Sequence, residues 1–131
     1  MGYMRHHTIV VTGIVFSKEL RGGIPADIVD AHKKAKTIFP IVSPLSQATM
    51  NGYRSFFIAP DGSKEGWQPS DQGDLDREAF KRWLNAHRFS DKGSPFDWVE
   101  VQFGDDEEKT RIISDNDHKG DFPKRRLIHP R

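Results

Sequence analysis

The most strongly hydrophobic stretch of the chain, Thr8 to Phe16, predicts a β-strand. Six of its nine residues are large and apolar, and most of these are β-branched or aromatic, which favours a pleated strand over a helix. Alternation places Ile9, Val11, Gly13 and Val15 on one face and Val10, Thr12, Ile14 and Phe16 on the other. Because both faces are apolar and need cover, we expect this strand to lie at the centre of a sheet.

Two later stretches have the three- and four-residue hydrophobic spacing of amphipathic helices. The first opens at residues 24–27, where a proline is tolerated in the first turn, and Pro40 ends it. Its apolar stripe consists of Ile24, Ile28, Ala31, Ala35 and Ile38. The second is predicted to begin at an N-cap, Asp74, and to end near His87 or Arg88.

The remaining strands are predicted from shorter segments. Tyr53 to Ala59 is followed by a Pro-Asp-Gly turn and by a returning arm over residues 63–68, which makes a hairpin. Phe96 to Phe103 alternates cleanly, and residues 109–114 return beside it. In that alternation Val99, Val101 and Phe103 share one face, while Trp98, Glu100 and Gln102 share the other.

This order of elements predicts an α+β domain. We expect a mostly antiparallel sheet of four to five strands with two helices on one face. The arrangement resembles the ferredoxin-like element order with an extra C-terminal strand, and the resemblance concerns element order alone. Residues 1–114 are assigned to a single domain and residues 115–131 to a polar C-terminal tail, because little in the tail can pack.

Composition narrows the classes of function. The 131 residues suit one domain, and the net charge of +1 predicts no strong general attraction to nucleic acid or to an acidic membrane. The chain has no cysteine, which excludes disulfides and thiol catalysis and fits a cytoplasmic protein. No apolar run approaches the roughly 18 residues of a membrane helix, and no signal peptide is recognisable at the N-terminus.

The connector before the first helix is a candidate anion-binding loop. It contains Lys18, Arg21, Gly22 and Gly23, and a glycine-bearing loop before a helix can present backbone N–H groups to an anion. It lacks the lysine and serine or threonine that end a phosphate-binding loop, and an ordinary flexible connector is the favoured explanation.

Other motifs are weaker. Residues 115–121 resemble a calcium loop, but Lys119 stands where a ligand should be and Arg126 where the bidentate carboxylate should be. The six histidines have no zinc-binding spacing, and no serine sits in a nucleophile elbow. No catalytic, cofactor-binding or metal-binding residue is therefore assigned, and no cofactor is expected.

Charge is distributed unevenly at the C-terminal end. Residues 105–121 hold seven acids and three bases, whereas residues 124–131 carry no acid. The candidate nucleic-acid contacts there are Lys124, Arg125, Arg126 and Arg131. A basic arm of this kind can bind phosphates, or it can remain a solvated tail.

The central strand suggests self-association. Two helices cover only one face of a sheet, so Val10, Ile14 and Phe16 need a second cover, and Trp98 is expected beside them. We interpret the chain as a small non-enzymatic binding or adaptor protein, homodimeric and with a further protein partner that the sequence does not identify. The alternative is a nucleic-acid-binding accessory protein that uses the sheet face and the basic tail. An enzyme acting on an anion at the 18–23 loop ranks last.

Overall fold

Four antiparallel strands, two α-helices and a single 3₁₀ turn (Met50–Gly52) make up the part of the chain that the computed structural model describes, residues 5–16, 26–63, 66–104 and 110–116. The strands are β1 (His6–Ile14), β2 (Tyr53–Ile58), β3 (Phe96–Phe103) and β4 (Arg111–Asp115), and the helices are α1 (Ile28–Ile38) and α2 (Gln68–Ala86). The sheet order is β2-β1-β3-β4. This confirms the α+β class and the interior position of the first strand.

The core lies between the sheet and the two helices. On β1, Ile9 and Val11 are fully buried, whereas Val10 on the opposite face is 37% exposed. The helices contribute buried apolar side chains to the same layer, among them Ile28, Ala31, Ala35, Phe80 and Leu84. One face of the sheet is therefore covered by helices, and burying these side chains is the main source of the domain's stability.

Helix α1 begins where its sequence supplies a capping box. The Asp27 carboxylate accepts hydrogen bonds from the backbone N–H groups of Val29 and Asp30, and the Asp30 carboxylate accepts one from the N–H of Asp27. These bonds satisfy donors that have no partner within the helix. The Asp27 carboxylate also accepts a bond from the N–H of Phe16, so it ties the end of β1 to the start of α1.

Helix α2 begins earlier than the sequence indicated. Trp67 is its N-cap residue and Pro69 lies in its first turn, where a proline costs no hydrogen bond. The predicted N-cap, Asp74, lies inside the helix. The returning strand predicted over residues 63–68 is consequently wrong, because Gln68 already belongs to α2, and the described sheet has four strands rather than five.

The ferredoxin-like element order is not confirmed. A single strand, β2, separates the two helices, and it pairs antiparallel with β1. Strand β3 pairs with the other side of β1, and β4 pairs with β3. The described chain thus runs strand, helix, strand, helix and then a hairpin.

The outer edge of β2 is covered by the segment that links α1 to it. Val42 forms a bridge to Ile58, and farther along the hydroxyls of Ser43 and Ser46 accept hydrogen bonds of 2.9 Å from the N–H groups of Phe57 and Ser55. Edge strands left open invite pairing with other chains. Backbone pairing through this edge is therefore hindered.

At the other side of the sheet, ordered structure continues slightly past the predicted domain boundary. Strand β4 extends to Asp115. The N–H of Asn116 donates to the Trp98 carbonyl oxygen at 3.2 Å, and the Asn116 side-chain oxygen accepts from the Trp98 N–H at 3.0 Å. Asp115, which was assigned to the tail from the sequence, is therefore part of β4, and the adjacent Asn116 is hydrogen-bonded to β3.

Candidate functional site

A buried cluster of charged side chains lies between α2 and the sheet. It consists of His7 on β1, Arg77 and Lys81 on α2, and Glu100 on β3, and we call it the Glu100 cluster. The Glu100 carboxylate is 2.5 Å from Lys81 Nζ, 3.3 Å from Arg77 Nε and 3.2 Å from His7 Nδ1. Glu100 is only 3% exposed, so its charge depends on these three nitrogen groups for compensation.

Local structure explains how the four side chains meet. Arg77 and Lys81 are four residues apart on α2 and therefore share one helix face. Glu100 shares a strand face with the buried Trp98, because side chains alternate along β3. Each cation also forms an ion pair with a more exposed acid one turn earlier on α2: Arg77 with Asp74, and Lys81 with Glu78.

The environment of Glu100 favours its ionised form. Burial alone would raise the pKa of this carboxyl group, but hydrogen bonds from His7 and Lys81 and the positive charges of Lys81 and Arg77 outweigh that effect. The net result is a pKa below the usual value of a glutamate. The cluster therefore contains a carboxylate, rather than a carboxylic acid, at neutral pH.

The geometry of the Glu100 cluster suits a structural role. Lys81 Nζ is also 3.2 Å from the Ser114 hydroxyl, a pairing that superficially resembles a serine–lysine nucleophile. An ammonium group in contact with two carboxylates has no lone pair with which to take a proton from serine. These contacts instead fasten α2 to β3 and β4.

Two histidines, one on α1 and one at the C-cap of α2, are held by backbone groups. His32 Nε2 is 2.9 Å from the Ser43 carbonyl oxygen, and His87 Nδ1 is 2.7 Å from the Trp83 carbonyl oxygen. Both side chains are half-buried. Over the described ranges, no three His, Asp or Glu side chains are grouped so that they would hold a metal ion.

The face of the sheet opposite the helices is apolar and uncovered by any described element; we call it the open face. Its exposed members are Val10, Tyr53, Phe57, Phe103 and Ile112, with exposed fractions from 37% to 46%. The register places Val10 between Phe57 and Val99 across the neighbouring strands β2, β1 and β3. Strands β1 to β3 place no lysine or arginine on this face, although 30% of the whole chain is charged.

A groove of about 540 Å³ runs along the open face beside the segment that covers β2. Val10, Phe57 and Phe103 line it together with several hydroxyl side chains. Those hydroxyls already have partners within the chain: Thr8 donates to the Ile58 carbonyl oxygen, Ser55 is hydrogen-bonded to the Thr12 hydroxyl, and the other two serines accept the bonds from β2 described above. The groove therefore presents mainly apolar surface, and its hydroxyl groups need no hydrogen-bond partner from a ligand.

Of the predicted interface residues, Val10 and Ile14 lie on the open face. Phe16 lies beyond the end of β1, and its ring contacts that of Phe89 at 6.4 Å between centroids. Placing Trp98 with them was wrong: it pairs across the strands with Val11 and is 4% exposed in the helix-covered core. The alternation of β3 was predicted correctly, but its mixed polar face is the buried one.

Two other sets of predicted site residues lie outside the described part of the chain. These are the candidate anion-binding loop (Lys18, Arg21, Gly22 and Gly23) and the candidate nucleic-acid contacts (Lys124, Arg125, Arg126 and Arg131). Both sets stay predictions.

Sequence reasoning missed the Glu100 cluster and two aromatic members of the open face. Both had been assigned to strands, and alternation along β3 already placed Phe103 on the same face as Val99. Phe57 lies on a different strand from Val10, so only the register between β1 and β2 places it there. No comparable signal exists for Glu100, because its partners lie 19 residues or more away along the chain.

Comparison of the chain with protein-family models, with curated proteins and with solved structures finds no match. Within the described ranges, neither helix has the combination of length and apolar character that crossing a bilayer requires.

Proposed function

We propose that this chain is a small non-enzymatic binding protein that forms a homodimer by packing the open faces of two sheets together. The observation that carries the proposal is the open face itself, which exposes Val10, Phe57 and Phe103 beside one another around an apolar groove. Exposed apolar patches of this extent commonly mark an interface.

A second copy of the chain fits the size of this face. The strands are five to nine residues long, so a sheet four strands wide covers roughly 400 Å² in projection. Protruding rings such as those of Phe57 and Phe103 raise the accessible area toward the ~600–1,000 Å² per partner that stable interfaces bury. Face-to-face packing of two sheets also places the same surface on both sides, as a two-fold symmetric dimer requires.

The charge of the face supports an apolar partner rather than a nucleic acid. Asp97 is the one acidic residue that strands β1 to β3 place there, and they contribute no lysine or arginine to it. A surface that binds nucleic acid gains most of its affinity from contacts between cations and phosphates. The nucleic-acid alternative would thus depend on the C-terminal basic residues, which lie outside the described ranges.

Light scattering on the purified full chain tests the proposal. At tens of micromolar we expect a mass near twice the 15.0 kDa of one chain. Replacing an exposed aromatic residue of the open face, Phe57→Asp, should shift the mass toward that of the monomer, because burying a carboxylate in an apolar interface is costly.

The matched control is Leu75→Asp. Leu75 is 64% exposed on α2, so the variant introduces the same charge at an exposed apolar position away from the open face. We expect it to remain dimeric. A monomeric wild-type protein, or equal dissociation of the two variants, would contradict the proposal.

A further inference from the structure

A second cavity, of about 290 Å³, lies on the helix side of the molecule, where the end of β2 meets the first half of α2. We call it the Asp61 pocket. Its apolar walls include Phe39, Ile58 and Pro69, and its polar groups include Asp61, Asp76 and Arg77. Small-molecule sites commonly combine apolar walls with a few polar groups in a cavity of about this size or larger.

A glycine in the first half of α2 keeps the polar end of the pocket open. A Cβ atom on Gly73 would stand 3.0 Å from Asp61 Oδ2 and 3.2 Å from Arg77 Nη1. Glycine inside a helix costs about 1 kcal/mol relative to alanine, so its presence needs a reason. The close approach of the Asp61 carboxylate and the Arg77 guanidinium to the helix backbone provides that reason.

The cation that lines this pocket, Arg77, already forms ion pairs with acids of the protein. Arg77 is 8% exposed, its Nε donates to Glu100, and one of its terminal nitrogens pairs with Asp74. Asp61 and Asp76 add two more carboxylates to the pocket, which the Arg77 guanidinium also lines. The local balance is therefore negative.

The Asp61 carboxylate is ionised and oriented. One of its oxygens accepts hydrogen bonds from the Ser63 N–H at 2.8 Å and the Ser63 hydroxyl at 2.6 Å, and the other faces Gly73. Burial would raise the pKa of Asp61, but the bonds from Ser63 and the charge of Arg77 hold it below the usual value. A carboxylate in this state attracts a cation at neutral pH.

We propose that the Asp61 pocket binds a small organic ammonium compound, with its apolar body against Phe39, Ile58 and Pro69 and its charged nitrogen at Asp61 and Asp76. Neither an organic anion nor a neutral alcohol of the same shape gains the ionic contact, and the anion is repelled by both carboxylates. This binding is separate from the open face, which lies on the other side of the sheet.

The test is a titration of the full chain with benzylamine, benzyl alcohol and benzoate, followed by the backbone amide NMR signals of Asp61, Gly73 and Asp76. Benzylamine should give saturable shifts at these residues with a dissociation constant of about 1–10 mM, as expected for a ligand of this size. Benzyl alcohol should bind about fivefold more weakly, and benzoate should leave these signals unchanged.

Substitutions locate the contact. Asp61→Asn and Asp76→Asn should each weaken benzylamine binding about fivefold, whereas Asp71→Asn, which removes an exposed acid of the same helix outside the pocket, should leave it unchanged. The Asp76 carboxylate accepts a hydrogen bond from Gln72, whereas the bonds from Ser63 go to Asp61. The Asp76 variant therefore leaves the Ser63 turn intact and tests the proposal even if Asp61→Asn folds poorly. Absence of saturable shifts at the pocket, an equal response to benzoate, or equal affinity in the Asp76 and Asp71 variants would overturn the proposal.

Discussion

Lys81 Nζ lies 2.5 Å from Glu100 Oε1, and the two residues join the C-terminal half of α2 to the middle of β3. Both side chains are less than a tenth exposed, so the pair lies where water screens charge poorly. The charge of Glu100 in the core is therefore compensated only when α2 is packed on the sheet. Buried pairs of this kind become costly when one partner alone is removed, because the remaining charge has lost its compensation.

Replacing the acid of this pair, Glu100→Gln, should destabilise the fold by about 2–4 kcal/mol. The variant leaves Lys81 and Arg77 buried with the more exposed acids Glu78 and Asp74 as their remaining partners, which moderates the loss. Urea denaturation followed by circular dichroism measures the change in the free energy of unfolding. The control is Glu78→Gln: this acid contacts the same Lys81 but is 58% exposed, so its loss should cost less than about 1 kcal/mol. Equal effects of the two substitutions would contradict the assignment of Glu100 as the centre of the cluster.

The stability of the fold should fall in acid partly because of Glu100. Its folded-state pKa lies below the usual value of a glutamate, so its contribution is fully present above that usual value and is lost as the pH falls through the folded pKa. The difference in unfolding free energy between wild type and Glu100→Gln should shrink as the pH falls below about 4.5. Denaturation curves at a series of pH values test this. A difference that does not change between pH 7 and pH 3 would show that the Glu100 charge contributes nothing.

Gly13 should tolerate a larger side chain poorly. A Cβ atom there would stand 3.2 Å from the Pro95 carbonyl oxygen and 3.3 Å from Ile28 Cβ, both of which belong to packed structure. Gly13→Val should therefore cost about 1–3 kcal/mol through overpacking, and Gly13→Ala should cost less. Denaturation midpoints for both variants provide the measurement. An unchanged midpoint for the valine variant would mean that α1 and the loop that ends at Pro95 can move away from β1 without loss.

The hydrophobic spacing along the chain correctly predicted the elements that are specified by neighbouring residues. The alternation from Phe96 to Phe103 predicted β3 at its observed bounds, and the apolar spacing of α1 predicted its buried face. The start of α2 was missed because Asp74 is a good capping residue by type, although Pro69 was an equally valid signal of a first helical turn.

The burial of β3 depended on contacts that no local pattern contains. A strand face that carries Glu100 and Gln102 is expected to face water, yet both residues are 3% exposed. Arg77 and Lys81 make burial of the acid tolerable, and their contribution is visible only after α2 is packed on the sheet. Trp98 shares this strand face, so it too lies in the core and not at the predicted interface.

The central claim, that the open faces of two chains pack together, is tested most directly by isotope-filtered NMR on a mixture of labelled and unlabelled full-length protein. This experiment detects only contacts between different chains. The account predicts intermolecular cross-peaks between the methyl protons of Val10 and the ring protons of Phe57 or Phe103. A sample that is dimeric by mass but whose intermolecular cross-peaks arise from Trp67 or Leu75 on the helix side would contradict it, as would a sample with no intermolecular cross-peaks at all.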